Sequence, residues 1–191
     1  MTQGRPSNET RPMNTVYRSA VERLKASIRH VPDFPKKGID FIDITPILQN
    51  GQLFRLATTV FVERYQRKPV DVVVAIDARG FLFASTVAYC LGVGMAIVRK
   101  KGKLPFTTIE KTYDLEYGTN TVQMHIDSIS KGQRVIIIDD VLATGGTVEA
   151  AISLVKQLGG EITETAFLVE LEFLKGKNRI QPIPTFSILQ Y

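Results

Sequence analysis

The 191-residue sequence has a single cysteine, two histidines and no apolar run approaching the roughly 18 to 20 residues of a membrane span. Cys90 cannot close an internal disulfide, which excludes a disulfide-stapled scaffold and fits a reducing, cytoplasmic compartment. It lies in an apolar helical pattern, GFLFASTVAYCLG, with no motif tying it to a histidine. It is therefore expected to be a small buried hydrophobe rather than a catalytic thiol. His30 and His125 lack metal-ligand spacing and are expected to be structural or surface residues. No G-x-x-x-x-G-K-[ST] is written, and Gly92-Val93-Gly94 lacks the third glycine of a dinucleotide fingerprint, which excludes a Walker site and a Rossmann site. Residues 1–14, MTQGRPSNETRPMN, carry no apolar stretch of the kind a secretory signal needs and are expected to form a flexible tail.

What is present suits a soluble protein with one domain over residues 15–191: 44% hydrophobic and 23% charged residues, enough chain for a continuous core without disulfides. The net charge of +5 points to an anionic partner, and by itself leaves open nucleic acid, a membrane surface or a phosphorylated metabolite.

Two compact β-branched runs, VDVVVAID (70–77) and RVIIIDD (134–140), read as strands buried on both faces. Each opens into a glycine-bearing loop and a helix pattern, the first ending near Gly92 and the second near Gly159 and Gly160. GMAIVRK (94–100) and TETAFLVEL (163–171) supply further strands. The expected fold is α/β, an open, mostly parallel twisted sheet flanked by helices. Upstream, Val16, Ala20, Val21, Leu24 and Ile28 recur at helical spacing, and a second helix pattern covers 53–65. Between them, residues 31–46 read as an irregular, proline-rich binding loop.

In open parallel sheets ligands bind beyond the carboxyl ends of the strands. After Ile138 come Asp139, Asp140, Val141, Leu142, Ala143, Thr144, Gly145, Gly146 and Thr147. The glycines let backbone N–H groups approach an anion, the next helix adds its positive end, and Thr144 and Thr147 add hydroxyl donors. The two carboxylates are acceptors suited to the vicinal hydroxyls of a ribose. Phosphate and diol together indicate a ribose 5-phosphate.

VIIIDDVLATGGT resembles the phosphoribosyl diphosphate signature of the type I phosphoribosyltransferases. PDFPKKGIDFIDITP, ARGFLF (78–83), VRKKGKLP (98–105), YDLEYG (113–118) and AFLVELEFLKG (166–176) resemble the adenine-specific branch of that family. The resemblance implies a parallel sheet with a small N-terminal hood around 31–46, a homodimer, Mg²⁺ held mainly through substrate and water, and conversion of adenine and phosphoribosyl diphosphate to AMP and diphosphate. It implies that Phe41 stacks on the base, that main-chain atoms of Asp40 read the base edge, and that Arg79 reaches the base from another loop. It places the diphosphate at Asp77, Ala78, Arg79 and Gly80, the ribose hydroxyls at Asp139 and Asp140, and the 5-phosphate at Ala143, Thr144, Gly145, Gly146 and Thr147. Tyr117 joins the substrate-binding residues, and Glu116 handles the purine proton. Three positions depart from the family pattern: Ile42 where a basic residue often stands, Ala78 for serine and Ala84 for glycine.

On residue chemistry alone several readings stay open. Phe41 is either a base platform or core. Glu116 is either a general base on a mobile lid, following the glycine- and charge-rich stretch 102–112, or a solvated surface glutamate. Arg99, Lys100, Lys101 and Lys103 either neutralise diphosphate, with Arg99 and Lys103 foremost, or form a solvated face. Ala143 stands where 6-oxopurine enzymes of the related branch carry a carboxylate, which disfavours those bases. The rival from another class is a regulatory nucleic-acid-binding protein that senses phosphoribosyl diphosphate without turning it over. No separate DNA-binding segment precedes the first helix pattern, so neither nucleic acid nor a membrane is the expected partner.

Overall fold

The computed structural model describes residues 15–114 and 118–191, and divides into two compact units between Leu56 and Ala57. In the first unit, helix α1 (Thr15–Ala26) buries Ala20 and Leu24, the stripe its spacing predicts. Residues 31–46 are more ordered than their composition suggests. Strands β1 (Arg29–Pro32) and β2 (Asp40–Asp43) pair antiparallel, and helix α2 (Thr45–Gln49) follows. The ribbon is bound by an ion pair, Arg29 to Asp43 at 3.4 Å, and by a hydrogen bond between His30 Nδ1 and Asp40 Oδ2 at 2.7 Å. Strands of four residues are too short to show alternation, which is why the sequence reads as a loop there. Helix α3 (Gly51–Tyr65) starts where the Asn50 side chain accepts from the N–H groups of Gln52 (3.0 Å) and Leu53 (3.2 Å).

The second unit is built on a seven-stranded sheet in the order β5-β6-β4-β3-β7-β8-β9. Its parallel strands are β3 (Val72–Ile76), β4 (Gly94–Lys100), β7 (Arg134–Leu142), β8 (Glu161–Glu170) and β9 (Thr185–Gln190). Strands β5 (Thr108–Asp114) and β6 (Thr119–His125) form an antiparallel hairpin on the β4 edge, so the sheet is mostly parallel, as expected. Every residue of β3 is buried, as are Val135, Ile136, Ile137 and Ile138 of β7, because helices cover this part of the sheet. Helix α4 (Gly80–Leu91) joins β3 to β4, and helix α5 (Gly146–Gln157) joins β7 to β8. A 3₁₀ turn (Glu172–Leu174) and the short helix α6 (Gly176–Arg179) follow β8.

Two expectations need correction. Cys90 is exposed: α4 buries Gly80, Phe83, Ala84, Val87 and Ala88, and Cys90 falls outside that stripe in the last turn. The stretch 102–112, expected to be a lid loop, enters strand β5 at Thr108. Most β5 side chains are exposed, so a charged edge strand reads as a loop in sequence.

One ionic contact braces the second unit. Glu164 on β8, 6% exposed, accepts from Arg64 Nε at 2.7 Å and also from its Nη2, with Lys68 Nζ at 3.3 Å. Burial works to raise the Glu164 carboxyl and is the largest single influence, but the hydrogen bonds of Arg64 and Tyr65 and the charges of Arg64 and Lys68 together outweigh it and hold the group below the usual glutamate value. A depressed pKa contributes stability above the unfolded value, and that contribution is lost as pH falls. Glu164→Gln should therefore cost about 3 kcal/mol at pH 7, and the gap from wild type should narrow in acid; urea melts at pH 7 and pH 4 measure both.

Candidate functional site

The carboxyl ends of β3, β4 and β7 collect most of the residues singled out in sequence. Beyond β3, the Asp77 N–H donates to the Val98 carbonyl at 2.9 Å, tying the loop to β4. The chain then turns through a cis Asp77–Ala78 peptide and Arg79 into α4. A Cβ on Gly80 would lie 2.6 Å from Asp139 Oδ1 and 3.1 Å from the Ile138 carbonyl. Only a residue without a side chain lets the start of α4 rest on the tip of β7, and this brings the 77–80 loop beside the acid pair.

Charges interlock there. Arg79 Nε lies 2.6 Å from Asp140 Oδ2, and Arg99 Nε donates to Asp77 Oδ2 at 3.1 Å. Arg99 Nη1 also donates to the Lys103 main-chain carbonyl at 3.2 Å, so Lys103 joins the cluster through its backbone. Arg79, expected to reach toward a base, is paired with an acid expected to hold ribose.

The acid pair is itself unusual. Asp140 is 6% exposed, and its N–H donates to Asp139 Oδ1 at 2.9 Å. Burial, and then the adjacent Asp140, push the Asp139 carboxyl well above the ordinary value of 3.8. Asp140 Oδ2 is buried, and Arg79 holds it in an ion pair. A carboxylate oxygen held by an ion pair keeps a further lone pair, and a sugar hydroxyl is the kind of group that can donate to it.

The loop from Ala143 through Thr144 to Gly145 leads into α5. Gly145 is left-handed (φ 83°), and a Cβ there would sit 2.6 Å from the Gly176 carbonyl. Conversely, a Cβ on Gly176 would collide with the Ala143 carbonyl, so the start of α6 backs the loop through two glycines. Gly146 opens α5 with Tyr113 Cδ2 only 3.1 Å from where its Cβ would be, and Thr147 Oγ1 donates to Tyr113 Oη at 3.0 Å. The result is a backbone concavity at a helix N-terminus, suited to an anion. Gly176 and Tyr113 were not among the expected site residues. Both lie in stretches that carry the resemblance, but only the packing shows what they touch.

Phe41 and Asp40 belong to the first unit. The Phe41 ring meets Phe34 edge-on at 5.2 Å, and Phe34 is 51% exposed, so this aromatic pair is not closed core. The Asp40 side chain is held by His30, and its backbone pairs with Pro32. Glu116 and Tyr117 lie outside the described residues.

Residues 43–186 match the family of phosphoribosyl transferase domains. The adenine phosphoribosyltransferase of Methylacidiphilum infernorum is 52% identical over 179 residues, 94% of this chain and all of the relative. The crystal structure of adenine phosphoribosyltransferase from Rhodothermus marinus superposes with a TM-score of 0.85 at 49% identity, covering 91% of this chain and 99% of that one. The Saccharomyces cerevisiae enzyme, solved with an imino-altritol bisphosphate and adenine, gives 0.85 at 39% identity over 90% of this chain and 99% of that one.

The raised Asp139 carboxyl makes a pH-dependent prediction. Its charged form costs stability, a cost that is absent below the unfolded pKa and grows as pH rises through the folded one. Asp139→Asn should raise the melting temperature of the free protein by roughly 2 to 6 °C at pH 8 and by less at pH 4. The same substitution should weaken donor binding about tenfold, since an amide replaces an acceptor-only group. Calorimetric melts at the two pH values, with a donor titration at pH 8, check both parts.

Proposed function

The chain belongs to the phosphoribosyltransferase family, and we propose that it serves purine salvage, converting adenine and phosphoribosyl diphosphate to AMP and diphosphate. The observation that carries this reading is the tip of β7, where the half-buried Asp139 and the buried Asp140 adjoin a glycine loop at a helix N-terminus. That is an address for a ribose 5-phosphate.

In this mechanism Asp139 and Asp140 hold the ribose hydroxyls, and Arg79 moves from its ion pair toward the substrates as the diol takes its place. Residues 143–147 hold the 5-phosphate. The 77–80 loop, with Arg99 behind Asp77 and Lys103 nearby, holds the diphosphate as negative charge develops on it. Bond breaking at C1′ leaves oxocarbenium character on the ribose, so alignment of base and leaving group supplies most of the acceleration. Phe41 stacks on the base and the Asp40 main chain reads its edge. Tyr117 contacts substrate, and Glu116 takes the proton from the purine nitrogen.

Mg²⁺ fits this donor set. Among the described residues no three His, Cys, Asp or Glu side chains group into a protein cage, and Asp139 and Asp140 offer hard oxygens of the kind Mg²⁺ shares with water and phosphate. When bound it would neutralise charge on the diphosphate. A homodimer is supported by apolar side chains left exposed on α4 and β4: Leu82 at 42%, Tyr89 at 88% and Met95 at 41%. Tyr89→Arg should shift the protein to monomer in light scattering. No helix among the described residues is long and apolar enough to cross a membrane, and the single free thiol suits the cytoplasm.

The test is incubation with phosphoribosyl diphosphate, Mg²⁺ and adenine, guanine, hypoxanthine or xanthine in turn. AMP from adenine alone is expected. Product from another base, or strong salt-dependent RNA binding without turnover, would overturn the assignment. Glu116→Gln should lower kcat by roughly 10² to 10⁴ with donor affinity nearly unchanged; steady-state kinetics showing a near-normal kcat would remove Glu116 from the reaction.

A further inference from the structure

We propose that Tyr113 is a positioning residue that holds the 5-phosphate in the cradle through Thr147. This rests on reading residues 143–147 as the phosphate site. Tyr113 is the penultimate residue of β5 and pairs with Asn120 of β6, so the hairpin holds its backbone. Its ring carbon Cδ2 lies 3.1 Å from where a Gly146 Cβ would be, and the Asp114 carbonyl is 3.5 Å from the same point. The hairpin therefore packs directly on the first residue of α5. The phenol points on to the next residue, where Thr147 Oγ1 donates to it at 3.0 Å.

The donor direction is the useful detail. A hydroxyl carries one proton and two acceptor lone pairs. Without a ligand, Thr147 spends its proton on Tyr113. A phosphate oxygen is a charged and stronger acceptor, so on binding Thr147 turns its O–H to the phosphate. That would leave the phenol oxygen without its donor. Tyr113 has a proton of its own, however, and can give it to the lone pair Thr147 has freed. The order becomes Tyr113 O–H to Thr147 Oγ1, then Thr147 O–H to phosphate. Two hydroxyls rotate and no proton changes owner. Aligned donors of this kind polarise one another, so the Thr147 bond to phosphate is stronger than it would be alone.

Tyr113→Phe keeps the ring against Gly146 and removes only the hydroxyl. Ribose 5-phosphate titrated by calorimetry into the full-length protein should bind roughly three- to tenfold more weakly to this variant. In turnover the donor KM should rise by a similar factor, with kcat and the adenine KM changed by less than about twofold. Thr147→Val should weaken binding at least as much, and Tyr113→Phe added to Thr147→Val should then have no further effect. Thr147→Ser keeps the hydroxyl and should keep the sensitivity to Tyr113→Phe. If Thr147→Val weakens binding but Tyr113→Phe does not, or if the two losses multiply, the relay is wrong. A lowered melting temperature in Tyr113→Phe with unaltered affinity would make Tyr113 a packing contact and overturn the proposal. Unchanged binding in Thr147→Val and in Gly146→Val together would instead show that the phosphate site itself is elsewhere.

Discussion

The candidate site depends on how closely helix α4 approaches the end of β7. A side chain at position 80 would meet Asp139 Oδ1 at 2.6 Å, so the absence of a Cβ at Gly80 is what allows the β3 loop and the β7 acid pair to share one surface. The other contacts build on that approach. Arg79 reaches Asp140 because it precedes Gly80 by one residue, and Asp77, one turn of loop earlier, meets Arg99 from the neighbouring strand. The same economy recurs behind the loop that opens α5, where Gly145 and Gly176 let two backbones touch.

This construction holds charge in an unfavourable state. The Asp139 carboxyl is raised by burial and by Asp140. Arg79 offsets part of the cost as an ion pair, but one cation cannot satisfy four carboxylate oxygens. The Arg64–Glu164 contact is the contrast: its carboxylate is fully engaged and lies in the body of the sheet, where it supports the fold and leaves no oxygen for a ligand.

Most of the parallel core was legible in the sequence because its physics is local. Val72–Ile76 and the Val135 to Ile138 run are β-branched and buried on both faces, which leaves a continuous apolar run that few other structures would produce. The helix stops at Gly92 and near Gly159 follow from left-handed conformations that glycine adopts freely. The acid pair and the ATGGT loop stood out in the sequence because adjacent acceptors and bare backbone at the end of a buried strand form a local pattern. Strands β5, β6 and β9 did not. Strand β5 is a charged, mostly exposed edge strand, while β6 (TNTVQMH) and β9 (TFSILQ) mix polar and apolar residues, so none of the three carries the continuous β-branched run that marks a buried strand.

By itself, then, the sequence determined the order of strand, loop and helix, and the chemistry available at the end of β7. Both depend on side-chain type and short-range spacing. Only the tertiary structure decided who meets whom: that Arg79 neutralises Asp140, that Arg99 holds Asp77, that Gly176 makes room for Ala143, and that Tyr113 reaches Thr147 across 34 positions. It also placed Cys90 outside the buried stripe of α4, against its apolar neighbourhood. The physical reason is the same in each case. A close contact depends on backbone geometry summed over many residues, and no local pattern of hydrophobicity or charge records that sum.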